Sequence, residues 1–527
     1  MSAHLDINQF KEKFEVVWQP IPASSQELAI DSRCDHTLYE GARGPGKTIT
    51  QLMKFARNVG KGYGAYWKGV IFDREFDNLK GLVTESKKWF KKVFGDDCEF
   101  MESTQSYKWV WKTGEELLFR HVKKPGDYDG FHGHEYPFIG WNELTKYPTS
   151  ALYDKFMSVN RCTFMPERDT PKDEKGRYLT EDGKPLPPIK LQVFSTTNPN
   201  GPGHNWVKRR FIDVAPRGTV VRVHVEVFDP QTQENTIVVR TQVAIFGSYR
   251  ENIYLTKEYV AELESITDDN LRRAWLFGDW DIVTGGAFDD VWDRRKHVLP
   301  RFVIPDGWRV DRAFDWGSSH PFSVGWFAES DGTEALIPYE GKVFSFCPPR
   351  GTLVQIFEWY GCKRDKQGQM EFENKGIKLG SGAIAKGIVE REISLLANGW
   401  ISKKPYPGPA DNQIGSVTDT EKDTTAKTMA DNGIEWTTSD KASGARAIGM
   451  QIVRDKLEAV KKNEGPGLYF MSNCIASIST IPTLPRDEDK LDDVDTDAED
   501  HCYDMVRYRC LVGADKAAVK LKMQMPH

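Results

Sequence analysis

The segment Gly41-Ala-Arg-Gly-Pro-Gly-Lys47-Thr48 fits the pattern GxxxxGK[ST] without a mismatch, between an apolar run (Thr37 to Tyr39) and a helical segment (Ile49 to Val59). No other feature constrains the fold as strongly. A glycine-rich loop of this spacing works where a strand delivers the chain into it and a helix carries it away. Its backbone N–H groups then line an anion cradle at the positive end of that helix. Gly41, Gly44 and Gly46 permit the tight turns, Lys47 is spaced to reach β- and γ-phosphates, and the Thr48 hydroxyl is placed to ligate Mg²⁺. Around the loop, the apolar runs 36–44, 69–75, 136–141 and 189–197 alternate with helix-like segments up to about residue 283. Near-continuous apolar strands between helices predict an α/β fold with a parallel sheet covered on both faces. The stretch 166–188 is rich in charge and proline, lacks apolar periodicity and reads as an exposed insertion.

A nucleotide hydrolase also needs an apolar strand that ends in carboxylates. Tyr136-Pro-Phe-Ile-Gly-Trp-Asn142-Glu143 supplies it, with Glu143 placed to polarise the attacking water. Asn142 stands where an Asp would ordinarily hold Mg²⁺; its carbonyl accepts a hydrogen bond but carries no charge. In the segment 194–206 a strand ends in Ser195, Thr196, Thr197 and Asn198 before a Pro- and Gly-rich turn. These residues either sense the γ-phosphate or form a polar loop with no special task. Arg43 is either a solvated cation at the loop edge or an arginine finger, acting in its own subunit or its neighbour's. Gln26, in the segment 18–28, either reads an adenine edge or is a surface glutamine.

The segment 277–300 reads as a connector with Gly285-Gly286 as its flexible point. Beyond it, 308–317 and 320–330 predict two strands joined by a tight turn, 381–400 and 445–462 predict helices, and 404–412 predicts a short strand ending in a carboxylate. Asp315 and Asp411 thus sit at strand ends. In 492–508 the Thr496-x-x-Glu499 pattern predicts a capping box and a helix from near Asp497, with Asp500, His501 and Asp504 on one side. Carboxylates gathered from separate elements repel unless cations lie between them. Two Mg²⁺ or Mn²⁺ ions would explain the set, clamping a phosphodiester, and oxygen donors favour these metals over zinc. The alternative is that Asp411 is a turn residue and the acidic run 487–500 a solvated segment.

At 527 residues the chain exceeds one ordinary core, so two domains are expected. A net charge of −6 argues against tight passive coating of nucleic acid and leaves room for a local basic face. No apolar run approaches the roughly 20 residues of a membrane span, so no membrane is expected. The charged N-terminus suggests no secretory signal. The eight cysteines form no CxxC pair and fit a reducing cytoplasm.

In this order, GARGPGKT (41–48), FIGWNEL (138–144), STTNPNGPGHNW (195–206), FDWG (314–317) and DVDTDAEDHCYDMVRY (493–508) resemble the large terminase subunit of tailed bacteriophages, over roughly residues 15–512. The resemblance implies an ASCE-type P-loop ATPase domain (1–283), a linker (284–305), a ribonuclease-H-like nuclease domain (306–513) and a basic tail (514–527). It implies ATP-driven translocation of double-stranded DNA into a procapsid, with cutting of concatemeric DNA at initiation and termination. The implied partners are a portal protein and a small terminase subunit, in a homo-oligomeric ring expected as a pentamer. The implied location is the host cytoplasm, with transient docking on the procapsid and absence from the mature virion. By position, Lys47, Thr48 and Arg43 match the nucleotide loop and Glu143 the catalytic glutamate, while Asn142 departs from the usual aspartate. Ser195 to Asn198 match the coupling motif, and Asp315, Asp411 and Asp504 the nuclease aspartates, with Asp500 and His501 near the same metals. Two other readings remain: a helicase-like translocase without nuclease activity, and an integrase- or resolvase-like nuclease with a nucleotide switch.

Overall fold

The computed structural model describes residues 16–103, 107–199, 201–229, 232–267, 269–280, 286–317, 320–363, 376–416, 423–439, 444–487, 490 and 492–513. The N-terminal segment to residue 15, Gly285 and the basic tail 514–527, with Lys516, Lys520 and Lys522, lie outside the described residues. The chain divides into two units, Met1–Pro199 with Val207–Asp279 and Asn200–Trp206 with Trp280–His527.

In the first unit β1 (His36–Gly41), β2 (Lys68–Asp73), β3 (Cys98–Glu102), β4 (Tyr107–Trp111), β5 (Glu116–His121), β6 (Phe138–Trp141), β7 (Gln192–Thr196), β8 (Val221–Asp229) and β9 (Glu234–Gly247) form one sheet. Its order is β3-β4-β5-β2-β6-β7-β1-β9-β8. The central pairings from β5 to β9 are parallel. Antiparallel pairing is confined to the two edges. β1, β2 and β6 are buried along almost their whole length, which is what their unbroken apolar runs require. β7 lies between β1, which feeds the P-loop, and β6, which ends at Asn142 and Glu143; this is the ASCE-type order. The helix Lys47–Ala56 is tied to that sheet by Gln51, whose Nε2 donates to the Trp141 and Phe194 carbonyls at 3.1 and 2.9 Å. Gly140 makes room for the tie, since a Cβ there would come within 2.8 Å of Ile71 and 3.2 Å of Gln51 Nε2. The stretch 166–188 runs mostly exposed, with one short helix, Pro166–Asp169.

In the second unit β10 (Val298–Leu299), β11 (Arg309–Asp315), β12 (Ser323–Glu329), β13 (Ala335–Tyr339), β14 (Lys342–Phe346), β15 (Leu353–Tyr360), β16 (Pro409–Ala410), β17 (Thr437–Thr438) and β18 (Leu468–Met471) follow. β13 and β14 form a separate hairpin; the rest make a seven-stranded sheet ordered β10-β18-β15-β12-β11-β16-β17. β11, β12 and β15 are an antiparallel meander, and β16 and β17 continue parallel to β11. Numbered in chain order these strands lie 3-2-1-4-5, the ribonuclease-H-like arrangement. β16 is shorter than the expected 404–412 because Pro405 and Pro407 cannot donate to a ladder. The helix Ser381–Ala397 stops short of 400, where Gly399 turns into the left-handed region at φ +68°. The helix over 445–462 forms as expected, Ala445–Lys462. Within the expected linker, Ala287, Phe288, Val291, Phe302 and Ile304 are buried in the core of this unit.

The last helix corrects the sequence reading. It spans His501–Leu511 with Asp500 at its N-cap, so it starts about a turn later than the Thr496-Glu499 pattern indicated. The reason is tertiary: the Glu499 carboxylate accepts from the Tyr360 hydroxyl at 2.7 Å, and Val494 is drawn into the core. The helix lies across β11 and β12 and is buried on every side. Gly325 in β12 allows this approach, because a Cβ there would fall 2.4 Å from Met505 Sδ. Buried charges on such a helix need partners. Arg509 finds Asp311 at 2.6 Å and Glu329 at 2.7 Å.

Candidate active sites

The first site is built where β1, β6 and β7 end. Gly41, Gly44 and Gly46 all have positive φ, at +120°, +89° and +85°, so the loop takes a path that side-chain-bearing residues rarely adopt. Lys47 is buried, and its Nζ donates to the Ala42 carbonyl at 2.6 Å and to Asn198 Oδ1 at 2.8 Å. Burial pulls the Lys47 ammonium down to about 8, with the Glu143 and Glu40 charges opposing that pull. A buried lysine on a glycine-rich loop at a helix N-terminus is suited to a phosphate, and Thr48 follows it on the first turn of the helix.

Glu143 leaves β6 in the left-handed region at φ +52°, uncommon for a residue with a side chain. Its carboxylate accepts from Asn198 Nδ2, and its backbone N–H points to Thr196 Oγ1 at 3.5 Å. Thr196 Oγ1 donates to Asn142 Oδ1 at 3.3 Å, and Thr197 Oγ1 meets Thr145 Oγ1 at 2.8 Å. Ser195 is buried at the end of β7. Thr196, Thr197 and Asn198 thus bond directly to the segment that carries Glu143, while Asn198 also holds the P-loop lysine.

Gln26 is 5% exposed rather than on the surface. Its Nε2 donates to the Pro45 carbonyl at 2.8 Å and its Oε1 accepts from the Ile21 N–H at 3.3 Å, so it braces the loop. Gly46 is required beneath it, since a Cβ there would lie 2.3 Å from Gln26 Nε2. The Arg43 guanidinium stacks 3.5 Å over the Trp275 ring, and its backbone N–H donates to the Trp275 carbonyl. Trp275 carried no sequence signal. Asp73 was also missed, although GVIFD at 69–73 has the same apolar-run-to-carboxylate shape as the strand before Glu143. Asp73 Oδ2 accepts from Asn142 Nδ2 at 2.7 Å.

The second site is a cleft of about 810 Å³ in the other unit, lined by Asp315, Asp411, Asp500, His501 and Asp504, with Arg446 among them. Asp315 ends β11 and Asp411 directly follows β16; Phe314 and Ala410 are register partners, so the two aspartates emerge side by side. The Asp411 N–H donates to the Phe314 carbonyl at 2.9 Å. His501 Nδ1 lies 3.2 Å from Asp315 Oδ2, and the Tyr508 hydroxyl donates to Asp315 Oδ1 at 3.4 Å. Burial pushes the Asp315 carboxyl up to about 6, against the His501 hydrogen bond and with the Asp504 charge adding to the rise. Burial likewise pushes Asp500 up to about 8, again with Asp504 adding. Burial pulls His501 down, but the Asp315 carboxylate overrides it and holds the imidazole up to about 9.

Asp504 is held differently. Arg446 Nη1 reaches its Oδ2 at 3.2 Å and Arg507 Nε its Oδ1 at 3.0 Å, while Arg446 also pairs with Asp493 at 2.6 Å. Asp500 is 7% exposed; among the described residues its side chain accepts no hydrogen bond, and Arg446 Nη2 at 3.7 Å and His501 Nδ1 at 3.9 Å are the cationic atoms beside it. Among the described residues no three His, Cys, Asp or Glu side chains already converge on one metal position. The donor set still suits a divalent cation, because Asp315, Asp411 and Asp500 are oxygen donors lining one cleft and burial disfavours the charge on Asp315 and Asp500.

No protein-family model matches the chain, and no curated protein matches it. Among solved structures it is similar to the large terminase of the thermophilic bacteriophage D6E in complex with ADP, at 13% identity, with 93% of this chain and 98% of that chain covered and a TM-score of 0.36. It is also similar to the HK97 bacteriophage large terminase, at 9% identity, with 96% and 95% covered and a TM-score of 0.41. The P22 large terminase nuclease domain matches at 13% identity over 43% of this chain and 90% of that one, with a TM-score of 0.28. Among the described residues no helix is long and apolar enough to cross a membrane.

Proposed function

We propose that the chain is a DNA-packaging enzyme of the large-terminase type: a P-loop ATPase that translocates double-stranded DNA and a metal-dependent nuclease that cuts it. The observation that carries the reading is the pair of sites on one chain. One links the P-loop lysine Lys47 to Glu143 through the Asn198 side chain. The other sets Asp315 and Asp411 side by side on a ribonuclease-H-like sheet.

In the first site Mg²⁺·ATP supplies the phosphoryl group transferred to water. The chain's residues bind it through the loop N–H groups and Lys47, hold Mg²⁺ through Thr48 and orient water through Glu143. Arg43, released from Trp275, would be within the loop to stabilise charge on the transferring group. In the second site a divalent Mg²⁺ or Mn²⁺ pair supplies Lewis acidity at the phosphodiester. Asp315, Asp411 and Asp500 are the cleft-lining carboxylates that would hold the pair, and Asp504 orders Arg446 and Arg507 beside them. The proposed setting is a homo-oligomeric ring on the portal of a procapsid, charged with DNA by a small terminase subunit.

The test is full-length protein with plasmid DNA, Mg²⁺ or Mn²⁺ and ATP, beside Lys47→Ala and Asp315→Asn. DNA-stimulated turnover lost only in the first variant and cutting lost only in the second are expected. Absence of both activities from folded wild-type protein sinks the proposal. Turnover without cutting leaves a nuclease-free translocase, and cutting without turnover leaves a nuclease with a nucleotide switch.

A further inference from the structure

We infer that Asp73 is a positioning residue of the nucleotide site: it supplies the negative charge that position 142 lacks and turns the Asn142 amide so that its carbonyl faces β7. The inference rests on the ATPase reading.

β2 and β6 are parallel neighbours with Phe72 opposite Trp141, so Asp73 and Asn142 form the next pair at the carboxyl edge of the sheet. The Asn142 N–H donates to the Phe72 carbonyl at 2.8 Å, fixing the backbone there. Asp73 has 0% exposure. Its Oδ1 accepts the Glu75 N–H at 2.9 Å and its Oδ2 accepts Asn142 Nδ2 at 2.7 Å. An ionised carboxylate only accepts, so the amide must turn its NH₂ toward Asp73 and its oxygen the other way. That oxygen accepts from Thr196 on β7, the strand lying between Asn142 and the P-loop strand.

The partners of the Asp73 carboxylate among the described residues are the Glu75 N–H and the Asn142 amide, both uncharged, and a buried carboxylate without a cation is costly. A divalent cation held at the carboxyl edge of β6 would offset that cost. The same geometry explains why residue 142 is not aspartate. Two carboxylates at 2.7 Å could not both ionise at ordinary pH, so one charge shared through a hydrogen bond replaces it.

The experiment compares full-length wild type with Asp73→Asn, Asn142→Asp and the exchanged pair D73N/N142D. Mn²⁺ binding in the presence of ADP is read by electron paramagnetic resonance, independently of turnover, and the Mg²⁺ dependence of ATP hydrolysis is measured alongside. Asp73→Asn is isosteric but keeps one acceptor of two, so it loses the charge and either the Glu75 or the Asn142 hydrogen bond. In the exchanged pair the amide at position 73 can accept from Glu75 and donate to the carboxylate at position 142, which separates the two losses. Asp73→Asn alone should weaken Mn²⁺ binding by about 10- to 100-fold. Asn142→Asp alone should lower the melting temperature, because it sets two carboxylates face to face. The exchanged pair restores one amide and one carboxylate and should recover most of the lost affinity. Unchanged Mn²⁺ affinity in Asp73→Asn, or an exchanged pair no better than that single variant, overturns the inference. Wild type that binds Mn²⁺·ADP without turning over ATP defeats the ATPase reading alone, whereas wild type that binds no Mn²⁺·ADP defeats both.

Discussion

Asn198 donates through Nδ2 to the Glu143 carboxylate, 3.3 and 3.4 Å from its two oxygens. The same side chain accepts from Lys47 through Oδ1, so one amide spans the residue that would hold phosphate and the residue that would orient water. A γ-phosphate entering this site would compete for Lys47 and loosen that bridge, releasing Glu143 only when nucleotide is present. Asn198→Ala should therefore leave nucleotide affinity nearly intact, because Lys47 keeps the Ala42 carbonyl, but should lower kcat by about 10- to 100-fold through a misplaced Glu143. Fluorescent-nucleotide binding and steady-state turnover separate the two effects. A variant with unchanged kcat would show the bridge to be structural.

Glu143 and Lys47 should fail in different ways. Glu143→Gln keeps the hydrogen bond from Asn198 and removes the base, so ATP should bind and accumulate unhydrolysed, with kcat down by about 10²-fold or more. Lys47→Ala removes the ammonium facing the phosphates, so binding itself should weaken. Equilibrium dialysis with ATP before turnover distinguishes them, and equal affinity loss in both variants would contradict these roles.

The nuclease aspartates should also separate by role. Asp315→Asn and Asp411→Asn should abolish Mn²⁺-dependent cutting, and Asp315→Asn should also forfeit the stability that His501 draws from the Asp315 carboxylate. Asp504→Ala should instead destabilise the second unit by about 3–5 kcal/mol, because it leaves the buried Arg507 unpaired. Arg446 adds less, being partly solvated and still bound to Asp493. Urea unfolding followed by tryptophan fluorescence measures the loss, and a stable, cleavage-dead Asp504→Ala would assign Asp504 to the chemistry instead.

The parts of both sites that could be read from the sequence are those written within a few residues. The glycine spacing of 41–48, the apolar run into Glu143 and the run into Asp315 each carry their own local cause, and the structure puts these residues at strand ends. What could not be read depends on which strands and helices become neighbours. Asp73 bears on Asn142 only because β2 lies beside β6, 69 residues apart in sequence. Arg446 reaches Asp493 and Asp504 across separations of 47 and 58 residues, so its own helix gives no hint of the pairing. The start of the last helix was misplaced for the same reason, since the Thr496-x-x-Glu499 pattern competes with a Tyr360 hydroxyl 139 residues away. For Gln26 the sequence leaves an adenine contact and a surface position both open, because nothing nearby shows that both ends of its amide are taken by backbone.

The acidic cleft sets a pH dependence whose sign is fixed. Asp315, Asp500 and His501 are pushed up to about 6, 8 and 9, from ordinary values of 3.8, 3.8 and 6.5. All three therefore bind protons more tightly in the folded chain. His501 contributes stability that is complete below pH 6.5 and lost as pH rises through about 9. For Asp500 the unfolded chain ionises above 3.8 while the folded one resists to about 8, so folding is penalised increasingly across that window. Metal-free protein should lose stability from mildly acid to alkaline pH. Other titrating groups contribute to that slope, so the informative quantity is the difference between wild type and Asp500→Asn. The two should melt together near pH 4, and the variant should become the more stable by several degrees toward pH 8.5. Scanning calorimetry in EDTA across that range measures the divergence. Parallel curves would mean that Asp500 ionises freely in the folded cleft, and saturating Mn²⁺ should close the gap by favouring the ionised Asp500 carboxylate of wild type.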